Sequence, residues 1–369
     1  MYLYKMKISV IISFLESIAN PALQEKYDNA GLIIGDSNRE CSGILVCLDS
    51  TEEVIKEAVA KRCNLVIAHH PIVFGGLKRI NGKNYVERAV ISAIKNDIAV
   101  YAIHTNLDNV INGVNGRIAK LLGLEDISVL AGKEDTLKKL YTFVPADHAE
   151  AVRNAIFIAG AGHIGNYSEC SFNTEGTGTF KGEDGTNPYV GESGSRHHEK
   201  EIRIETVFPV HMENRILQAL VTAHPYEEVA YDVVNLANTH SGTGSGIAGN
   251  LPQPMDEINF LTRIKEVFQV PVIRHTELLG EPVERVAVCG GAGSFLISKA
   301  LGEGAQFYVT ADMKYHEFFD ANDRMVIADI GHFESEQFTI NLLQEVLEQK
   351  FPNFAVLKTE VDTNPVHYF

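Results

Sequence analysis

At 369 residues the chain exceeds one ordinary domain and suits two or three. Its 45% hydrophobic and 22% charged residues match a globular protein with ample apolar material for a core. A net charge of −16 argues against non-specific nucleic-acid binding, which rests on Lys and Arg neutralising phosphates, but leaves room for a phosphorylated small molecule held by metals or backbone amides.

Lys5 and Lys7 precede an apolar run in which Ile8, Ile11, Ile12, Leu15 and Ile18 recur at helical spacing. The run stops at Glu16 without a small-residue cleavage pattern, so it reads as an amphipathic helix and not as a secretory signal. Residues 28–32 are turn-like, and residues 43–48 (GILVCL) read as a strand ending at Asp49. Ser50 then serves as N-cap with Glu53 as its capping-box partner, for a helix to about Arg62. Leu65, Val66, Ile67 and Ala68 form an uncharged apolar strand that ends in His69, His70 and Pro71. Proline forbids continuation of a central strand or helix. A helix is expected over 86–96, a buried strand over 98–103 ending in His104-Thr105-Asn106-Leu107-Asp108, and a helix over 113–122. Strands alternating with helices at this spacing predict an α/β layer structure with a largely parallel sheet.

From about residue 129 the pattern changes. A strand over 139–144 and a helix over 146–159 precede a Gly/Ser/Thr/Asn-rich loop over 166–194; an alternating strand over 201–208, a helix over 212–223 and a strand over 229–236 follow. This is the order of a ferredoxin-like α+β unit, with residues 241–246 as its flexible exit. From Arg285 the α/β rhythm resumes, with strands leading into Gly290-Gly291-Ala292-Gly293-Ser294, into Thr310-Ala311-Asp312 before a helix carrying His316, and into Gly331-His332. The expected organisation is therefore a discontinuous α/β core, 1–128 and 249–369, interrupted by a module over 129–248.

The chemically capable residues share a position: Asp49, His69-His70, His104, Asp108, the 290–293 glycines, Asp312 and His332 each follow a predicted strand. In open α/β sheets, ligands bind beyond the carboxyl ends of the strands, so distant residues converge there if the strands run parallel. His69, His70, Asp108, His332 and Glu336 make a set that a dinuclear site needs. Adjacent histidines on an extended chain point to opposite sides, but at a strand end they can serve two neighbouring ions. His332 and Glu336, four residues apart, share one helical face. Imidazole and carboxylate suit zinc, iron, manganese or cobalt, and a metal pair can activate water as a nucleophile.

Each residue has a plainer reading. His69 and His70 fit one core and one exposed histidine, Asp108 a turn, His332 and Glu336 a helix entrance and its solvated face. His104 fits a partner behind the ligands or a core histidine, Asp312 and His316 a helix-surface pair, and the 290–293 glycines a tight turn or an anion site at a helix start. His224, in Ala223-His224-Pro225-Tyr226-Glu227-Glu228, reads as a packed structural turn, and His197-His198 as part of an exposed polar loop. The five cysteines contain no CxxC pair, which points to a reducing cytoplasm. No stretch approaches the ~18 apolar residues of a membrane span.

The motifs Tyr27-Asp28-Asn29-Ala30-Gly31-Leu32, Ala68-His69-His70-Pro71, His104-Thr105-Asn106-Leu107-Asp108, Thr310-Ala311-Asp312-Met313-Lys314-Tyr315-His316 and Gly331-His332-Phe333-Glu334-Ser335-Glu336 together resemble the Nif-three-like family, whose members are commonly described as GTP cyclohydrolase I type 2 homologues. Gly178-Thr179-Phe180-Lys181, Asn187-Pro188-Tyr189 and the His224 to Glu228 run resemble the CutA/PII-like insertion of the longer bacterial members. Ala30 and Ala311 depart from the family pattern but are not ligand types. The resemblance implies two divalent ions per subunit held by His69, His70, Asp108, His332 and a bridging Glu336, within a toroidal homohexamer whose insertions cover its openings. It also implies cyclohydrolase-type chemistry on a nucleotide or related heterocycle, with His316, His104 and Asp312 as candidate catalytic groups. The alternative is a metal-binding regulatory protein or metallochaperone whose middle module senses a small molecule.

Overall fold

The structure is a computed structural model describing residues 6–369; Lys5 lies outside the described residues. The chain divides into two units, one formed by the chain through Gly132 together with Gly242–Phe369, the other by Lys133–Ser241. The expected boundaries at 128 and 248 are therefore corrected: residues 129–132 and 242–248 belong to the larger unit, because they lie in or lead into strands paired with its sheets.

In chain order the first part contains α1 (Ile8–Ile18), β1 (Gly31–Ile34), β2 (Ile44–Asp49), α2 (Glu52–Ala60), β3 (Leu65–His70), α3 (Tyr85–Lys95), β4 (Ala99–Ala102), α4 (Thr105–Asp108), α5 (Val114–Leu122) and β5 (Glu125–Gly132). The middle unit contains β6 (Leu137–Pro145), α6 (Ala149–Ile158), β7 (Ser171–Lys181), β8 (Arg196–Pro209), α7 (Glu213–Ala223) and β9 (Tyr231–Asn235). The last part contains β10 (Gly244–Met255), α8 (Glu257–Phe268), β11 (Arg274–His275), β12 (Val283–Ala292), α9 (Ile297–Gly302), β13 (Phe307–Ala311), β14 (Val326–Asp329), α10 (His332–Glu336), α11 (Thr339–Lys350) and β15 (Val356–Lys358).

The larger unit is a mixed α/β fold with two sheets, where the sequence suggested one largely parallel sheet. The first has the order β1-β4-β3-β2-β15, parallel except for β1. The second has the order β11-β14-β13-β12-β10-β5, with β12, β13 and β14 parallel and the other strands antiparallel. Each part of the chain lends a strand to the other's sheet: β5 joins the second and β15 the first. One buried cluster joins Ile44, Val46 and Ile67 of the first sheet to Val286, Phe307 and Val326 of the second, through Ile11 of α1, Ile118 of α5, Phe260 of α8 and Leu343 of α11. Helices thus fill the space between two sheets. The opposite face of β2, carrying Leu45 and Cys47, is buried under α2 and its neighbours, which explains a run that is apolar throughout.

Local chemistry sets the ends. Thr51, not Ser50, caps α2 by accepting from Val54 N, while Ser50 Oγ is buried without a hydrogen-bond partner. The strand ends at Asp49 as expected, and the helix cap lies one residue later than the Ser50 pattern suggested. Residues 241–246 are not a flexible exit: β10 starts at Gly244 and pairs on both sides, with β5 and β12. The middle unit has the βαββαβ order, with all neighbouring strands antiparallel in the order β7-β8-β6-β9. The expected loop over 166–194 holds β7, which pairs with β8 across eleven residues from Ser171 to Lys181. His197 and His198 accordingly lie on β8 and not in a loop. His224 Nε2 donates to Phe143 O and its Nδ1 accepts from Tyr226 N, so both ring nitrogens are occupied within the protein.

Candidate metal centre

The sheets deliver their strand ends to one place. His70 closes β3 directly opposite Asp49 at the end of β2. His104 follows β4 and opens the short α4 that carries Asp108. Asp312 follows β13, and α10 presents His332 and Glu336 beyond β14. Glu336 is the meeting point: its Oε2 lies 2.9 Å from His70 Nε2, 3.1 Å from His332 Nε2 and 3.9 Å from His69 Nε2. Two three-residue groups, His70/His332/Glu336 and His69/Asp108/Glu336, share that carboxylate, and His69, His70 and His104 form a third.

Each imidazole is oriented from behind. His69 Nδ1 donates to Ile103 O at 2.8 Å, His70 Nδ1 to Asp49 at 2.8 Å, His332 Nδ1 to Asp312 at 2.7 Å and His104 Nδ1 to Asp28 at 2.8 Å. Such acceptors fix the ring orientation and turn Nε2 toward the centre. Glycines make the room: Gly291 has φ +65°, and a Cβ there would overlap Glu336 Oε1. The Gly290-Gly291 pair is therefore a cradle for the shared carboxylate rather than an anion loop.

Burial pushes the carboxyl of Asp108 well up, reinforced by the neighbouring Glu336 charge. Burial also acts on Glu336, but hydrogen bonds from His332 and His70, with His69 close by, overcome it and hold the carboxyl well down. Against burial, Asp49 and Glu336 raise His70 to about 9, and Asp312 and Glu336 raise His332 to about 11. Burial drives His69 down. His69 Nε2 and Asp108 Oδ1, 3.6 Å apart, are buried and have no hydrogen-bond partner. Buried polar atoms normally have one. Two unpartnered ligand atoms facing a shared carboxylate fit a divalent cation, since ligands at about 2.0–2.2 Å from one ion stand about 3–3.6 Å from each other.

All five expected ligands converge here. Of the three candidate catalytic residues, His104 and Asp312 line the same cavity, of about 1110 Å³. The His104 ring stands 5.3 Å from that of His69 and 5.4 Å from that of His70. Asp312, at φ +55°, sits behind His332 in a left-handed conformation uncommon for a non-glycine residue. His316 is not brought in: it is exposed on a 3-10 turn against Tyr315 and Phe319, and it does not line the cavity. The sequence reading also passed over Asp28, treated as a turn residue, and Thr363, which donates to Asp49 Oδ2 at 2.9 Å. The only available signal for Asp28 was its place in the Tyr27 to Leu32 motif.

The family model for Duf34/NIF3 (NGG1p interacting factor 3) matches residues 6–365. A protein named GTP cyclohydrolase 1 type 2 homolog from Halalkalibacterium halodurans is 40% identical over 360 residues, covering 96% of this chain and 97% of the relative. One of the same name from Bacillus subtilis is 40% identical over 364 residues, covering 96% of each. The crystal structure of a Bacillus cereus protein related to NIF3 superposes with a TM-score of 0.85 at 40% identity, covering 100% of both chains. With the family model spanning nearly the whole chain and the fold matching throughout, this chain belongs to the Duf34/NIF3 family.

Proposed function

We propose that the chain is a dinuclear metal-dependent hydrolase of the GTP cyclohydrolase I type 2 kind, acting on a nucleotide or related heterocycle. The observation that carries the reading is the pair of three-residue groups joined through Glu336, with two of their ligand atoms orphaned. His70 and His332 would hold one ion and His69 and Asp108 the other, with Glu336 between them. Three protein ligands per ion leave coordination open, as catalytic sites do and structural sites do not. Divalent ions there would supply Lewis acidity and lower the pKa of water. Zinc is the first expectation, with iron, manganese or cobalt also suited to these ligands.

In the cyclohydrolase reaction, water adds to the imidazole carbon of guanine, the ring opens to a formamide, and hydrolysis of that amide releases formate. His104, anchored through Nδ1 by Asp28, has its other nitrogen available to take up and return a proton. Asp312, Asp49 and the Ile103 carbonyl hold the remaining imidazoles in place. The names of the relatives support this substrate class. The reading includes a cytoplasmic, toroidal homohexamer and a CutA/PII-like middle unit; its βαββαβ strand order supports the last point, and among the described residues no helix is long and apolar enough to cross a membrane.

The test is metal content per chain, on protein purified without an affinity tag, together with formate release from GTP with and without chelator. About two metals and chelator-sensitive formate are expected. Full activity after chelation would overturn the hydrolase reading. Two metals without turnover would favour the second reading, a metal-binding regulatory protein or metallochaperone, which the separate cavity of the middle unit supports.

A further inference from the structure

The middle unit has a cavity of about 620 Å³ built entirely from its own residues. Three motifs separate in the sequence meet there: Gly178 to Lys181 on β7, Pro188-Tyr189 in the following loop, and Tyr226 to Glu228 after α7. The floor is the sheet face turned away from the helices. Ile204 and Phe208 of β8 pack with Val152 of α6 and Leu220 of α7, so the alternating Glu201 and Arg203 project to the opposite side. Gly176 pairs directly with Glu201, and Phe180 with His197, which puts them on that same face.

Glu201 lies at the centre, only 8% exposed. Its Oε1 accepts from the Tyr226 hydroxyl at 2.9 Å, and no described residue donates to Oε2. Gly178 makes this placement feasible, because a Cβ there would overlap the carboxylate. Around it stand aromatic rings: Tyr226 is 5.9 Å from Phe180 and 6.2 Å from Tyr189 between centroids. Tyr189 is held by its hydroxyl against His148 Nε2 at 2.9 Å. Glu175, Glu227 and Glu228 add carboxylates to the lining. The two basic residues that also line it are engaged with other acids: Lys181 lies 3.6 Å from Glu183, and Arg203 lies 2.9 Å from Glu205 with its guanidinium over Tyr141.

A nine-tenths buried carboxylate with one oxygen free, in a cavity lined by aromatic rings, is the chemistry that recognises an organic cation. The same carboxylates repel phosphate, so the cavity does not suit a nucleotide. We propose that the middle unit binds a small alkylammonium or protonated amine in this cavity, with Glu201 as counter-ion and Phe180, Tyr189 and Tyr226 as the aromatic enclosure. The inference is independent of the chemistry at the metal centre.

The test is calorimetric titration of the full-length protein with choline chloride at constant ionic strength, with inorganic phosphate as the anionic counter-probe. Saturable binding of one choline per chain is expected. Glu201→Gln and Tyr189→Ala should each weaken it at least tenfold. Gly176→Val should block it, since a Cβ at that position meets nothing within 4 Å and enters the open space. Asp312→Ala, in the other unit, should leave choline affinity unchanged. If Glu201→Gln does not fold, Tyr189→Ala decides, because Tyr189 is 53% exposed and carries little of the core. No saturable choline binding, binding that survives Tyr189→Ala, or tighter binding of phosphate would each overturn the proposal.

Discussion

Glu336 and Asp312 both contact His332, yet their removal should have different consequences. Glu336 Oε2 is shared by the two ligand groups, at 2.9 Å from His70 Nε2 and 3.9 Å from His69 Nε2. On the proposed dinuclear reading, Glu336→Ala would therefore take one of three protein ligands from each ion at once. Asp312→Ala removes only the hydrogen bond behind His332, 2.7 Å long. Losing such an orienting partner costs about 10–100-fold in metal affinity, or about 1.4–2.7 kcal/mol, at one ion. Losing a direct ligand should cost more than that at both. In buffered free zinc at roughly a hundred times the wild-type dissociation constant, elemental analysis should find about one and a half to two metals in Asp312→Ala and fewer than one in Glu336→Ala. Glu336→Gln, which keeps the volume against Gly290 and Gly291, should behave like Glu336→Ala and separates lost ligation from lost packing. Equal metal loss in the Asp312 and Glu336 variants would refute the assignment of Glu336 as the shared ligand.

Asp28 gives a pH-dependent prediction. Burial pushes its carboxyl up, but hydrogen bonds from His104 and Thr105 prevail and hold it at about 2 against an ordinary 3.8. A depressed folded-state pKa stabilises above the unfolded value and loses that contribution as pH falls from about 4 toward 2, so Asp28→Asn should cost about 2 kcal/mol at pH 7. Urea unfolding should show this gap narrowing as the pH falls below 4, and a gap independent of pH would contradict the assignment. Gly291→Ala should be destabilised by about 1–3 kcal/mol from its left-handed backbone, and should also lose metal because its Cβ displaces Glu336. Gly302→Ala, with nothing within 4 Å of the added atom, is the control, and equal melting temperatures for the two would refute the cradle. Thr363→Val removes the donor to Asp49 Oδ2, worth about 1 kcal/mol as a hydrogen bond, and should weaken metal binding less than tenfold by loosening His70. A loss as large as that of Glu336→Ala would mean that Asp49 is itself a ligand.

The candidate ligands were legible because their signals are local. Uncharged runs that end abruptly in His69-His70 or in His104 to Asp108 mark buried strands delivering polar groups at their ends, and four-residue spacing places His332 and Glu336 on one helical face. Other elements left no such trace. β7 lacks the apolar alternation that identifies a strand, because its cavity-facing positions include Gly176 and Gly178 in place of large apolar side chains. The start of β10 looks like a linker because Gly244 and Gly246 adopt positive φ beside neighbouring strands.

The sequence by itself therefore determined the strand-helix order of most of the chain, the interruption by a middle unit, and the five side chains with ligand chemistry. Tertiary structure decided that there are two sheets instead of one, with β5 and β15 exchanged between them, and it decided the partners behind the imidazoles. Asp28 reaches His104 across 76 residues and Thr363 reaches Asp49 across 314. Periodicity records whether a residue's own face is buried, a property of the local chain. Which strand it pairs with, and which carboxylate a histidine meets, depends on the global packing of the core between the sheets, where loop closure over long separations costs little more than over short ones.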